Sequence, residues 1–168
     1  FFGVSTPDST GGYDHSLNVW TGDEALRREL RTWHHVAWVV DRDQHRMLLY
    51  IDGELQRTGQ SPDIRNWSME QNLPILIGAA QEGERRVAFY GGKLDNIRFY
   101  HRALSPSEIR EDSRTERISH KAEGLVAAYE FDNYRPGDTI INDVTGRHPA
   151  HLIGFPQRLP HHSVRTYR

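Results

Sequence analysis

The chain has 168 residues, the length of one ordinary domain and enough to bury an apolar core. Its 21 Lys and Arg residues nearly balance its 23 Asp and Glu residues, so it lacks the positive field that binds nucleic acid. It has no Cys, which excludes disulfides and thiolate metal sites, and no apolar run approaches the ~18 residues of a membrane-spanning helix. We therefore predict neither a nucleic-acid partner nor a membrane span.

The first clear elements are three strands with apolar residues at period two or in short runs. Residues 33–40 and 47–51 flank a polar loop and are predicted to pair as a hairpin. Asp52-Gly53 follows, and both residue types tolerate the positive φ of a type I′ turn, so residues 54–57 are predicted to return as a third strand. A three-stranded meander is expected.

Further along the chain, β patterns surround a single helix signal. Short apolar runs predict strands over residues 73–79, 87–90, 94–100, 125–131, 140–141 and 152–153. Ser105-Pro106-Ser107-Glu108 is a capping box with Pro at the first helical position, so one short helix is predicted from residue 106 to 113. The charged residues 114–123 are interpreted as a connector, and the Pro- and His-rich residues 156–168 as an irregular tail.

Four motifs follow one another in a fixed order along this β-rich sequence. They are Trp33-His34-His35-Val36-Ala37, Leu49-Tyr50-Ile51-Asp52-Gly53, Ile75-Leu76-Ile77-Gly78 and the run from Gly92 to Ser105. Residues 1–113 thereby resemble the second half of a laminin-G-like jelly roll of the concanavalin A-like lectin/glucanase superfamily. The resemblance implies an all-β, concanavalin A-like jelly-roll sandwich with one short helix, and the first strands of such a domain have no counterpart before residue 1.

Residues 124–155 resemble the opening strands of the same kind of domain, so first-half motifs follow second-half motifs. Either the closing strand is permuted to this position, or a second module begins here. Residues 90–155 also resemble the jelly-roll domain of the N,N-dimethylformamidase large subunit, which keeps this order and favours permutation. Because unpaired sheet edges are rarely left open, we expect the rest of a larger polypeptide or a partner chain to complete the sheets.

The superfamily includes glucanases that carry a Glu-x-Asp-x-x-Glu pattern on one strand. The nearest match here is Glu130, Asp132 and Arg135, and Arg cannot supply the acid because it does not deprotonate in proteins. The resemblance thus implies a non-catalytic recognition or accessory module that binds carbohydrate or protein, an extracellular role. The alternative is a jelly-roll segment of a larger, cytoplasmic hydrolase of the dimethylformamidase type, whose active site lies outside these residues.

Three aspartates match positions where similar jelly rolls often hold a structural calcium, namely Asp95, Asp132 and Asp143. Calcium binds six to eight oxygens, so three carboxylates plus backbone carbonyls would suffice. The alternative is local, with Asp95 capping a turn and Asp143 forming an Asx-turn with Gly146. Both interpretations stay open at this point.

Sugar-binding residues are predicted in two polar, loop-like stretches. Trp20 and Trp67 can stack on sugar rings, and Asn66 can hydrogen-bond hydroxyl groups beside Trp67. The alternative for both tryptophans is packing at the rim of the sandwich. His34 and His35 are adjacent on a predicted strand, so they point to opposite faces and cannot chelate one ion together.

Overall fold

The structure is a computed structural model that describes residues 2–7, 13–19, 32–60, 74–115, 117, 119, 121–135 and 137–153. Contacts divide the chain into two compact units. Unit 1 comprises residues 1–70 and 102–115, and unit 2 comprises residues 71–101 and 116–168. Throughout the described residues the fold is antiparallel β with one short helix, as the sequence predicts for a concanavalin A-like jelly roll.

Unit 1 contains five strands in two antiparallel sheets within the described ranges. Strands β1 (Phe2–Pro7) and β2 (Tyr13–Val19) pair with each other. Strands β3 (Val36–Asp41), β4 (Arg46–Ile51) and β5 (Glu54–Gln60) form a three-stranded sheet in that order. The predicted meander is confirmed, although β3 begins at residue 36 rather than 33 and β5 continues to residue 60.

The core of unit 1 is built on β4, the central strand of the meander. Met47 and Leu49 on β4 are fully buried. Leu48 and Tyr50 from the opposite face pack with Ile109 from the helix. Because both faces of β4 are covered, its sequence is continuously apolar after Arg46 instead of alternating.

The helix α1 (Pro106–Asp112) begins where the capping box predicts. The Ser105 hydroxyl accepts from the Glu108 backbone N–H, and the Glu108 carboxylate accepts from the Ser105 N–H at 2.7 Å. The Arg102 guanidinium also forms an ion pair with Glu108, with Arg102 Nη2 lying 2.5 Å from Glu108 Oε1. Among helices in the parts of the chain that the structure describes, none is long and apolar enough to cross a membrane.

The turn between β4 and β5 adopts the predicted left-handed backbone. Asp52 has φ of +51° and Gly53 has φ of +81°. A Cβ added at Gly53 would lie 2.9 Å from the Ser113 hydroxyl oxygen and 3.1 Å from the Arg110 Cα. Glycine is therefore required twice, by the backbone angle and by the close approach of the end of α1.

Unit 2 contains three antiparallel strand pairs in the described residues. They are β6 (Ala80–Glu82) with β7 (Arg85–Val87), β8 (Ile97–Tyr100) with β9 (Leu125–Tyr129), and β10 (Ile140–Ile141) with β11 (Ala150–His151). The β8–β9 pairing places the segment after the charged connector in one sheet with the strand that precedes α1. A permuted closing strand would take this position. The division of the chain into segments at residues 113 and 124 stays a prediction.

Three strand predictions in unit 2 are wrong. The strand predicted over residues 152–153 lies two residues earlier, as β11. Within the strand predicted over residues 73–79, the described residues 74–79 form no strand, and Ile75 is 68% exposed. Gly78 turns the chain there with φ of +82°. The strand predicted over residues 87–90 ends at Val87, since Ala88 has φ of +49°. Residues 80–87 form the β6–β7 hairpin, for which the sequence predicts no strand before residue 87.

Candidate functional site

The predicted calcium ligands and the predicted sugar-binding residues fall in different parts of the chain. Asp95, Asp132 and Asp143 all belong to unit 2. Trp20, Asn66 and Trp67 lie outside the described residues, so their roles stay predictions.

Asp143 is the buried polar centre of unit 2, with 6% of its surface exposed. Its Oδ1 accepts from the backbone N–H groups of Ala128 at 2.8 Å and Thr145 at 3.0 Å. Its Oδ2 accepts from the N–H groups of Arg147 at 3.1 Å and His148 at 3.0 Å, and from the Thr145 hydroxyl. This single carboxylate therefore ties the loop 143–148 to strand β9.

The same contacts set the protonation of Asp143. Burial alone would raise the pKa of this carboxyl group. The hydrogen bond from Thr145 and those from the backbone N–H groups of Ala128, Thr145 and His148 outweigh burial, so the pKa lies well below its usual range. Asp143 is thus an anion at neutral pH, and its charge stabilises the loop.

Further hydrogen bonds attach the same loop to β9. The Arg147 guanidinium donates through Nη2 to the Leu125 carbonyl at 2.9 Å, and the Val144 N–H donates to the Ala128 carbonyl at 2.8 Å. The Tyr129 hydroxyl donates to the His148 carbonyl at 2.7 Å. The sequence interpretation of an Asx-turn named Gly146 as the partner of Asp143. The side chain of Asp143 instead accepts from the Thr145 N–H, and the Gly146 N–H donates to the backbone carbonyl of Asp143 at 2.8 Å.

Asp95 and Asp132 are placed differently from Asp143. The register Ile97↔Tyr129 puts both at one end of the β8–β9 pair, Asp95 before β8 and Asp132 after β9. Asp95 Oδ1 accepts from the Asn96 N–H at 2.9 Å, and Asp132 is exposed. Within the described residues, no group of three or more His, Asp and Glu side chains is arranged to hold a metal ion.

Calcium therefore fits these aspartates unequally. The two oxygens of Asp143 already accept five hydrogen bonds, which engages their lone pairs and leaves none for a cation. Asp95 and Asp132 supply two carboxylates of the oxygens that calcium needs. A calcium site at this end of the β8–β9 pair stays a prediction.

The residues that align with the glucanase carboxylates do not lie on a strand. Strand β9 ends at Tyr129, and Phe131 has φ of +58°. Glu130, Asp132 and Arg135 follow that end, where the strand alternation that would put Glu130 and Asp132 on one face no longer operates. The paired-carboxylate geometry of the glucanase pattern is thus interrupted by the backbone as well as by Arg135.

A polar cluster in unit 1 joins the start of the meander to its turn and to α1. His34 Nδ1 lies 2.8 Å from Asp52 Oδ2, and the His35 N–H donates to Asp52 Oδ1 at 2.9 Å. The His35 ring faces Asp112 instead, with Nε2 3.7 Å from Oδ2. The two rings therefore contact different carboxylates. Both residues precede β3, so the strand alternation predicted for them does not set the directions of their rings.

An exposed apolar surface in unit 2 was not predicted from the sequence. We call it the aromatic patch, and it comprises Ile75, Ile77, Phe89, Tyr90 and Leu94. Phe89 is 72% exposed and Tyr90 is 57% exposed. The pattern Phe89-Tyr90-Gly91-Gly92 was the available signal, since glycines beside aromatics suit a loop, but the apolar run favoured a strand.

One backbone hydrogen bond joins the segment that carries Ile75 and Ile77 to the segment that carries Phe89 and Tyr90. The Tyr90 N–H donates to the Gly78 carbonyl at 2.8 Å. A Cβ added at Gly78 would lie 3.8 Å from Leu94 Cδ1, and one added at Gly92 would lie 2.5 Å from the Tyr90 hydroxyl oxygen. The Tyr90 ring therefore folds over Gly92, which has no side chain to displace it.

Comparison with known proteins identifies a family for most of the chain. A laminin-G-type profile of the concanavalin A-like lectin/glucanases superfamily matches residues 4–110. No curated protein sequence matches the chain.

Two solved structures are similar to the chain. A candidate carbohydrate-binding protein from Bacteroides ovatus is 20% identical over 73% of this chain, with a TM-score of 0.45. An S-layer domain-containing protein from Clostridium thermocellum is 21% identical over 61% of this chain, with a TM-score of 0.37. The matched region spans 37% of the first structure's chain and 46% of the second.

Proposed function

The chain belongs to the concanavalin A-like lectin/glucanases superfamily, and we propose that it is a non-catalytic recognition module that binds carbohydrate as part of a larger protein. The superfamily match over residues 4–110 is the observation that carries this proposal. It supports a lectin-like module, for which recognition of sugar or protein, glucan cleavage and an accessory role are the functions to compare.

The residues after β9 favour recognition over cleavage. Retaining glycosidases need two carboxyl groups about 5–5.5 Å apart across the scissile bond, one of them able to donate a proton. Here the third position of the pattern is Arg135, and positive φ at Phe131 interrupts the strand that would align Glu130 with Asp132.

The proposed ligand contacts are aromatic rings and hydrogen-bonding loops. Trp20 and Trp67 would stack on sugar rings, with Asn66 beside Trp67 to bond hydroxyl groups. Calcium bound by Asp95 and Asp132 would stabilise the end of the β8–β9 pair without taking part in chemistry. We propose that the rest of a larger polypeptide or a partner chain completes the sheets.

The alternative function is that of a jelly-roll segment in a larger amide hydrolase of the dimethylformamidase type. The β8–β9 pairing favours it, because that resemblance covers residues 90–155 and keeps both strands in the same order. In this case the chain would bind no free glycan.

A glycan array probed with the full chain tests the proposal. We expect binding to a restricted set of glycans, weakened in Trp67→Ala and retained in Trp38→Ala, a matched change of a half-exposed tryptophan on β3. An array that stays blank would overturn the proposal and favour the accessory role in an amide hydrolase. Equal binding by both variants would remove Trp67 from the site while leaving recognition intact.

A further inference from the structure

We draw no further inference here: the strongest candidate, the exposed aromatic patch of unit 2 formed by Ile75, Ile77, Phe89, Tyr90 and Leu94, is an apolar face for which nothing in the structure shows what covers it.

Discussion

Unit 1 packs its meander around apolar side chains, whereas unit 2 ties a loop to β9 through one buried carboxylate. In unit 1 the helix residue Ile109 packs on Leu48 and Tyr50 of β4. In unit 2 a small cluster of Ala127, Tyr129 and Ile141 lies beside the Asp143 network. The exposed aromatic patch also belongs to unit 2.

The difference shows how stability is distributed along this chain. Apolar packing spreads its contribution over many contacts, so a single truncation removes a part of it. A buried carboxylate with four N–H partners concentrates its contribution in one side chain, because losing it leaves all of those donors unpaired. Substitution of Asp143 should therefore lower the stability of unit 2 strongly, whereas substitutions on its exposed surface should change stability little.

The largest effect is expected for Asp143→Ala. This change leaves four backbone N–H groups without their acceptor in a buried site and should lower the free energy of unfolding by about 4 kcal/mol. Urea unfolding measures it. Asp138→Ala is the matched control, since Asp138 is exposed and accepts from one backbone N–H, that of Arg135. A loss no greater than that of the control would contradict the anchoring role.

The pH dependence of stability provides a second test of the role of Asp143. The pKa of Asp143 in the folded state lies below its unfolded value of about 4, so the folded state takes up the proton less readily. Its contribution to stability is complete above that pH and is lost as the pH falls below it. Between pH 7 and pH 3 the unchanged chain should lose more stability than Asp143→Ala loses, and equal losses would remove this linkage.

Leu49→Ala should produce the next largest loss. Leu49 is fully buried on β4, and truncation leaves a cavity in the core of the meander at about 3 kcal/mol. Leu55→Ala on the neighbouring β5 is the control, because that leucine is half-exposed. The urea midpoints of the two variants measure this difference in stability. Similar midpoints would show that Leu49 on β4 is not part of the core of unit 1.

Ser105→Ala tests the helix cap and should lower stability by about 1 kcal/mol. The change removes the hydroxyl that accepts from the Glu108 N–H at 3.3 Å. Ser105→Asp keeps an acceptor there and should retain stability. Hydrogen bonds from Arg102 and then from Ser105 lower the pKa of Glu108 to about 2, so the cap should weaken as the pH falls from about 4 toward 2. A full loss in Ser105→Asp would argue against capping.

Calcium should give the smallest effect. If Asp95 and Asp132 bind it, calcium at a concentration equal to its Kd raises stability by about 0.4 kcal/mol, and higher concentrations raise it further. Thermal melts in calcium and in chelator, repeated with Asp95→Ala, measure this. An identical melting temperature in both solutions, or a shift that persists in Asp95→Ala, would eliminate the site.

The features that the sequence predicted correctly depend on neighbouring residues. Asp52-Gly53 encodes its turn through two residues that tolerate positive φ, and the Ser105 cap is completed by Glu108 three positions later. The strand prediction failed at residues 74–79 because a short apolar run has the same sequence pattern in a buried strand and in an exposed loop. The residues that neighbour Gly78 in the sequence do not indicate whether this segment is buried or exposed.

The candidate sites were harder to predict because their contacts are distant in sequence. Asp143 reads locally as an Asx-turn, and its bond to Ala128, fifteen residues earlier, becomes visible only once the loop 143–148 is placed against β9. The aromatic patch depends on the bond that joins Tyr90 to Gly78 and on the exposure of Phe89. Spacing along a single sequence specifies neither feature.

We propose that this chain recognises glycans without cleaving them, and one assay tests both binding and cleavage. The full chain is incubated with a panel of soluble acidic and neutral polysaccharides, and each tube is assayed for retained polymer and for newly formed reducing ends. We predict that at least one polymer is retained and that reducing ends do not rise above those of polymer alone. Reducing ends that accumulate with time and with protein concentration, and that are lost in Glu130→Gln, would contradict the claim.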